Sequence, residues 1–173
     1  MSAPRGVPDE HRDGAPRSLA VFVLTVSDTR ALDSDRSGKQ ITEALEANGH
    51  RVQVRELVRD EPDAIARAAL QALLRPDIDV LIATGGTGVA PRDVTPDAIE
   101  PLLDRTLPGF GELFRALSFE EIGPAAMLSR ALAGVSRGTA VFVLPGSSGA
   151  VRLALERLLL PELPHLIRLL RGA

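Results

Sequence analysis

The chain has 173 residues, of which 45% are hydrophobic and 25% charged, and its net charge is −3. That is enough chain for one domain with a real core, and the charge balance excludes a polybasic nucleic-acid or membrane binder. Cysteine is absent, which excludes disulfides, thiolate zinc sites and cysteine nucleophiles and fits a reducing cytoplasm.

Residues 1–17 carry Pro4, Pro8 and Pro16 among charged and small residues. They read as a flexible arm preceding one domain over 18–173, not as a signal peptide. Leu19 to Val26 is a continuous apolar run rich in β-branched residues. This pattern fits a strand buried on both faces of a parallel sheet. Ser37 to Asn48 has helical spacing, with Gly49 as its C′ residue. Val52 to Val58 is a second strand, Pro62 to Leu74 a second helix, and Asp79 to Thr84 a third strand. A βαβαβ order predicts a mostly parallel sheet with helices on both faces, a three-layer α/β/α fold.

Two helices are expected over Pro96 to Asp104 and Phe110 to Glu121. Ala125 to Gly134 and Thr139 to Leu144 flank Ser136-Arg137-Gly138, which reads as a hairpin. One strand in the C-terminal half should therefore run antiparallel. Ala150 to Leu160 closes the chain as an amphipathic helix, which Pro161 and Pro164 bend or split from Leu166 to Leu170. No apolar run reaches the roughly 18 residues of a membrane span.

In open α/β sheets ligands sit at the carboxyl ends of the strands. The first strand is followed by Ser27-Asp28-Thr29-Arg30 and the second by Arg59-Asp60-Glu61-Pro62. The third is followed by Gly85-Gly86-Thr87-Gly88 and the last by Pro145-Gly146-Ser147-Ser148-Gly149. The glycine loop lacks the Gly-Lys-Ser/Thr of a Walker loop. Pro91 stands where a dinucleotide fingerprint needs its third glycine. The loop is either a turn needing positive φ or a backbone cradle for an anion. The three histidines, His11, His50 and His165, show no metal-ligand spacing.

Thr95-Pro96 reads as an N-cap with Pro at N1. Val94 and Ile99 then form a hydrophobic staple, and Asp97 complements the helix dipole. Asp93 falls outside that helix with no evident structural duty, so it is the favoured functional acid. Asp60 is either a cap of the second helix or a metal ligand. Asp28 can cap or turn the chain after the first strand. Ser147 and Ser148 suit the N-cap of the last helix, a position that also binds anions. Arg130, among apolar neighbours, needs either an ion-pair partner or a ligand. Two carboxylates facing a phosphate-binding backbone suit magnesium-assisted phosphoryl or nucleotidyl transfer. The residues alone do not identify the acceptor.

Five segments occur in a telling order: Thr25-Val26-Ser27-Asp28, Gly85-Gly86-Thr87-Gly88, Arg92-Asp93-Val94-Thr95-Pro96-Asp97-Ala98, Pro108-Gly109-Phe110-Gly111-Glu112 and Leu144-Pro145-Gly146-Ser147. Together they resemble the MoaB and MogA family of molybdenum cofactor biosynthesis proteins, which is related to the gephyrin G domain and its plant counterpart. The resemblance runs from about Leu19 to Leu159. Ser118-Phe119-Glu120-Glu121-Ile122-Gly123 favours the MoaB branch.

The resemblance implies a homotrimer that binds molybdopterin and transfers AMP from Mg·ATP to its terminal phosphate, releasing pyrophosphate. It implies that Asp60 and Asp93 are the catalytic and Mg²⁺-binding acids. It further implies that Ser27, Asp28, Gly85, Gly86, Thr87, Gly88, Pro145, Gly146 and Ser147 line the binding pocket. The alternative is a non-catalytic trimeric protein that holds or delivers molybdopterin.

Overall fold

The computed structural model describes residues 14–29 and 31–172. Most of the arm expected over 1–17 therefore lies outside the described residues. Six strands form one sheet: β1 (Ala20–Val26), β2 (Arg51–Val58), β3 (Val80–Thr84), β4 (Arg105–Thr106), β5 (Leu132–Ser136) and β6 (Thr139–Leu144). Their order is β2-β1-β3-β6-β5-β4. β2, β1, β3 and β6 are mutually parallel, and β5 runs antiparallel to both its neighbours. The expected single reversed strand is β5.

Every residue of β1, β3 and β6 is buried, because the sheet is covered on both sides. Val21, Val23, Val80, Ile82 and Phe142 point into one core, with α1 (Arg36–Ala47), α4 (Pro108–Ile122) and the C-terminal helices. Phe22, Leu24, Leu81, Ala83 and Val141 point into the other, with α2 (Pro62–Leu73) and α3 (Thr95–Ile99). The two-residue alternation that divides each strand between two cores is the strand period. It gives three layers, α/β/α.

The helix expected over Pro96 to Asp104 is shorter. α3 ends at Ile99, a 3₁₀ turn covers Glu100–Leu102, and the chain then enters β4. Pro101 has no N–H to donate back to Asp97, so the α-helical ladder cannot continue through it. The edge is sealed where Asp104 N–H donates to Val135 O at 2.9 Å and Leu107 N–H to Ala133 O at 2.7 Å.

The first hairpin strand also begins later than expected. Gly123–Leu128 is 3₁₀ helix, and β5 starts at Leu132. A short apolar run does not distinguish helix from strand, and Met127 and Leu128 turn out exposed. The hairpin turn itself puts Arg137 at φ 52° and Gly138 at φ 82°. Asp104 Oδ2 accepts the Arg137 N–H at 2.7 Å and so supports a non-glycine residue in the left-handed region.

The last helix is not split by its prolines. α5 (Ser148–Ala154) passes through a π turn, Leu155–Leu159, into α6 (Leu160–Leu170). Leu160 N–H donates to Leu155 O, five residues back, and this wider register carries the chain into a helix whose first turn holds Pro161. Gly49 has φ 82° and donates to Glu46 O, as a C′ residue should. Among the described residues no helix is long and apolar enough to cross a membrane.

Candidate functional site

The strand register sets where the site falls. Thr25 of β1 lies beside Thr84 of β3, and Thr84 beside Leu144 of β6. The parallel strands thus end level, and their following loops converge. Between them lies a cleft of about 480 Å³, lined by Ser27, the loop Gly85–Gly88, Asp93 and the segment Pro145–Ser147. These are nine of the eleven residues that the sequence assigns to the site: Ser27, Gly85, Gly86, Thr87, Gly88, Asp93, Pro145, Gly146 and Ser147. The other two, Asp28 and Asp60, adjoin the cleft and are bonded to each other, Asp60 N–H donating to Asp28 Oδ1 at 3.2 Å.

Gly85 and Gly86 have φ of 103° and 60°, so the loop does need positive φ. It is also more than a turn. Gly85 N–H donates to Leu144 O at 3.0 Å. Among the described residues the N–H groups of Gly86, Thr87 and Gly88 have no partner in the fold. The loop's carbonyls, by contrast, are committed. Gly86 O accepts from Thr95 N–H, Thr87 O from Arg130 N–H and Gly88 O from Arg130 Nε. Unpaired N–H groups with satisfied carbonyls form an anion-binding edge.

Arg130 is the clamp of this arrangement. Besides Gly88 O it donates to both carboxylate oxygens of Asp97, at 3.0 and 2.8 Å, and to Asp93 O. Of the two roles its position allowed, the structure shows the ion pair. Asp97 stands in the first turn of α3, as expected of an acid that complements the helix dipole, and it is also the partner of Arg130.

Thr95 is not the N-cap expected of it. Val94 holds that position, and no side chain caps α3. Thr95 N–H is instead drawn to Gly86 O, while its own side chain is fully buried with Oγ1 unpartnered. With Val94 as N-cap, Val94 and Ile99 no longer stand at N′ and N4, yet Val94 still packs against the core cluster that holds Ile99.

Asp93 does carry a structural duty, contrary to expectation. Its Oδ2 accepts the Ala90 N–H at 2.9 Å, and its own N–H donates to Ala90 O at 2.9 Å. The carboxylate closes the turn that leaves the glycine loop.

Asp60 does not cap α2, whose N-cap is Glu61. Its Oδ1 is buried without a partner among the described residues. Burial pushes its carboxyl above the ordinary value of 3.8; the Val94 N–H opposes this, the Asp28 and Asp93 charges add to it, and Arg92 opposes it. Asp60 Oδ1 and Oδ2 and Thr95 Oγ1 all lie within about 3 Å of where a Cβ on Gly86 would stand. A cation binding here would gain ligands that the fold leaves unsatisfied. No group of three or more acidic or imidazole side chains among the described residues could hold a metal alone. One or two carboxylates completed by phosphate and water suit Mg²⁺.

The cleft floor includes residues that the sequence did not single out. Ser37 Oγ donates to Gly146 O at 2.8 Å, and Thr84 Oγ1 to Pro145 O at 3.0 Å. Behind them lies a buried carboxylate, Asp35. It caps α1 by accepting Gly38 N–H at 2.9 Å, and it accepts from Thr25 Oγ1 at 2.7 Å and Arg55 Nη2 at 3.0 Å. An acid before an amphipathic helix is a readable cap signal, but its burial is not. Asp35→Ala should cost about 2–4 kcal/mol by urea denaturation, because Arg55 and Thr25 lose their acceptor and α1 its cap. Asp35→Asn, which keeps the cap acceptor, should cost less.

The sequence profile of the probable molybdopterin binding domain matches residues 22–165. The chain is 50% identical over 161 residues to molybdenum cofactor biosynthesis protein B of Halalkalibacterium halodurans, covering 92% of this chain and 95% of that one. The chain belongs to this family. A crystal structure of a molybdenum cofactor biosynthesis protein B superposes with TM-score 0.89 at 46% identity, over 92% of this chain and 99% of that one. The tungsten cofactor synthesizing protein MoaB from Pyrococcus furiosus superposes with TM-score 0.83 at 39% identity, over 91% and 99%. Within this MoaB-like fold, the matched residues span every loop that meets in the cleft.

Proposed function

We propose that the chain binds molybdopterin in this cleft and transfers AMP from Mg·ATP to its terminal phosphate, within molybdenum cofactor biosynthesis. The observation that carries this is the pairing of an unpartnered backbone N–H edge, Gly86 to Gly88, with the unpartnered Oδ1 of Asp60 behind it. One suits a phosphate; the other suits the cation that accompanies a triphosphate.

A terminal phosphate oxygen of molybdopterin attacks the α-phosphorus of ATP. A new P–O–P linkage forms, the bond to the β-bridging oxygen breaks, and pyrophosphate leaves. Ser27 and Pro145 to Ser147 wall the cleft, Asp28 adjoins it, and together they hold molybdopterin in place. The glycine-loop N–H groups orient phosphate, and Asp60 and Asp93 would hold Mg²⁺. When bound, the ion supplies charge neutralisation at the reacting phosphates. Positioning and electrostatics are the protein's contribution in such chemistry.

The test is pyrophosphate release from molybdopterin, ATP and Mg²⁺. Molybdopterin binding with no release above a no-protein control would leave a binding or delivery protein instead. Binding is readily seen, since the chain has no Trp or Tyr to absorb in the near ultraviolet. Asp93→Asn should keep the turn, because an amide oxygen still accepts the Ala90 N–H, yet lower turnover on the order of 10²-fold through loss of charge. Asp93→Ala should lose both. Full turnover in Asp93→Asn would remove Asp93 from the chemistry.

A homotrimer in the cytoplasm completes the proposal. Leu113, Phe119, Ile122, Met127 and Leu128 are exposed, apolar surface of the kind that association covers. Light scattering at micromolar concentration should give three times the 18.4 kDa chain mass, and a monomer mass would refute it.

A further inference from the structure

Arg92 stands on the turn that leaves the glycine loop, and its side chain is 71% exposed. Its guanidinium nevertheless reaches across to Asp28 Oδ2, 64 residues away in sequence. Asp28 also accepts the Asp60 N–H, so Arg92 sits at the edge of a chain of acids.

Holding the loop does not account for this ion pair. The turn is already closed by Asp93 and Ala90, and Arg130 clamps Gly88 O and Asp93 O from the other side. Exposed ion pairs contribute little to stability. Such a pair is cheap to release, and a guanidinium freed at the cleft mouth presents a planar fork that matches phosphate oxygens. Behind the acids lie the unpartnered Asp60 Oδ1 and the fully buried, unpartnered Thr95 Oγ1. Both are groups that a divalent cation would satisfy.

We infer that Arg92 is a charge-exchange residue: paired with Asp28, it offsets the charge of the acid cluster in the free protein and turns to the nucleotide's triphosphate once a divalent cation on Asp60 and Asp93 supplies that positive charge. This rests on the Mg·ATP reading of the cleft. The guanidinium, paired with Asp28, and the cation, held by Asp60 and Asp93, answer the same cluster of negative charge, so each weakens the hold of the other. The released guanidinium then adds positive charge where pyrophosphate departs.

The test uses the full chain and two probes. Mn²⁺ binding is followed by electron paramagnetic resonance, and Mg-saturated tripolyphosphate binding by calorimetry. Arg92→Gln should bind Mn²⁺ about three- to tenfold more tightly, since its competitor is gone. It should bind Mg·tripolyphosphate about tenfold more weakly. Arg92→Lys should return Mn²⁺ affinity to that of the wild type and restore only part of the tripolyphosphate affinity. Affinities that move in the same direction, or do not move, overturn the exchange role while leaving the magnesium site standing. A wild-type chain that binds Mn²⁺ but not tripolyphosphate also overturns it. A wild-type chain that binds neither probe removes the Mg·ATP reading itself, and the role of Arg92 with it.

Discussion

Asp60→Asn should lower AMP transfer on the order of 10²-fold or more and at the same time raise the unfolding temperature at neutral pH. The two effects share one cause. Asp60 is held in a partly buried place beside Asp28 and Asp93, and burial raises its carboxyl above the ordinary 3.8. The folded state therefore binds the Asp60 proton more tightly than the unfolded state does. Its contribution to stability is intact below the unfolded value and is lost as pH rises through the folded value. At neutral pH the ionised carboxylate is a net cost, which an amide does not carry. The advantage of Asp60→Asn should thus disappear as pH falls toward the acid range and open as pH rises through the folded value. Added Mg²⁺ should raise the unfolding temperature of the wild type, by binding the folded state, and leave the variant unmoved. Differential scanning calorimetry across pH, with and without Mg²⁺, checks all three statements. A variant less stable than the wild type at neutral pH would show that Asp60 is a structural acid.

The sequence resolves the layers because β1, β3 and β6 are buried on both faces and therefore read as unbroken apolar runs. It resolves the cleft because loops after level parallel strands must meet, whatever their sequence separation. What it misses is short or long-range. β4 has two residues at the sheet edge, too few to leave a pattern. Asp35 looks like an ordinary cap, and nothing local tells that Thr25 and Arg55, 10 and 20 residues away, bury it. The structural duty of Asp93 is written in the local sequence. Ala90-Pro91-Arg92-Asp93 places Pro at the second position of a four-residue turn, and an acid at its end can accept the N–H that opens it. Its structural duty was therefore legible, and it does not exclude a catalytic one: Oδ2 is bonded to Ala90, and the residue still lines the cleft. Thr95 misled in the other direction. Its type and place fit an N-cap, but the pull of Gly86 O on its N–H set the helix start one residue earlier.

The largest loss of stability should come from Gly85→Ala. Gly85 has φ 103°, a conformation that costs a residue with a Cβ about 1–3 kcal/mol. The new methyl would also overlap the Val26 carbonyl oxygen. That oxygen belongs to backbone at the end of β1 and cannot rotate away as a side chain could. Together these put the cost at about 3 kcal/mol or more, or roughly 6–12 °C in unfolding temperature for a chain of this size. Gly138→Ala separates the two contributions. It has φ 82° but nothing within 4 Å of its would-be Cβ, so it carries the conformational cost alone. Gly146→Ala tests the contact from the opposite side. Its Cβ would stand 3.2 Å from Gly85 Cα, a distance that small shifts can relieve, so its effect should be the mildest where the chain yields. The expected order of damage is Gly85, then Gly138, then Gly146. A Gly85→Ala protein that unfolds within a degree of the wild type would mean that the loop relaxes freely. The cleft would then not be built, as the geometry requires, by bringing Val26, Gly85 and Gly146 together backbone against backbone. That close approach is what brings the unpartnered N–H groups of the loop between the ends of β1 and β6. The same residue type therefore serves the fold by fitting and the site by leaving its backbone bare.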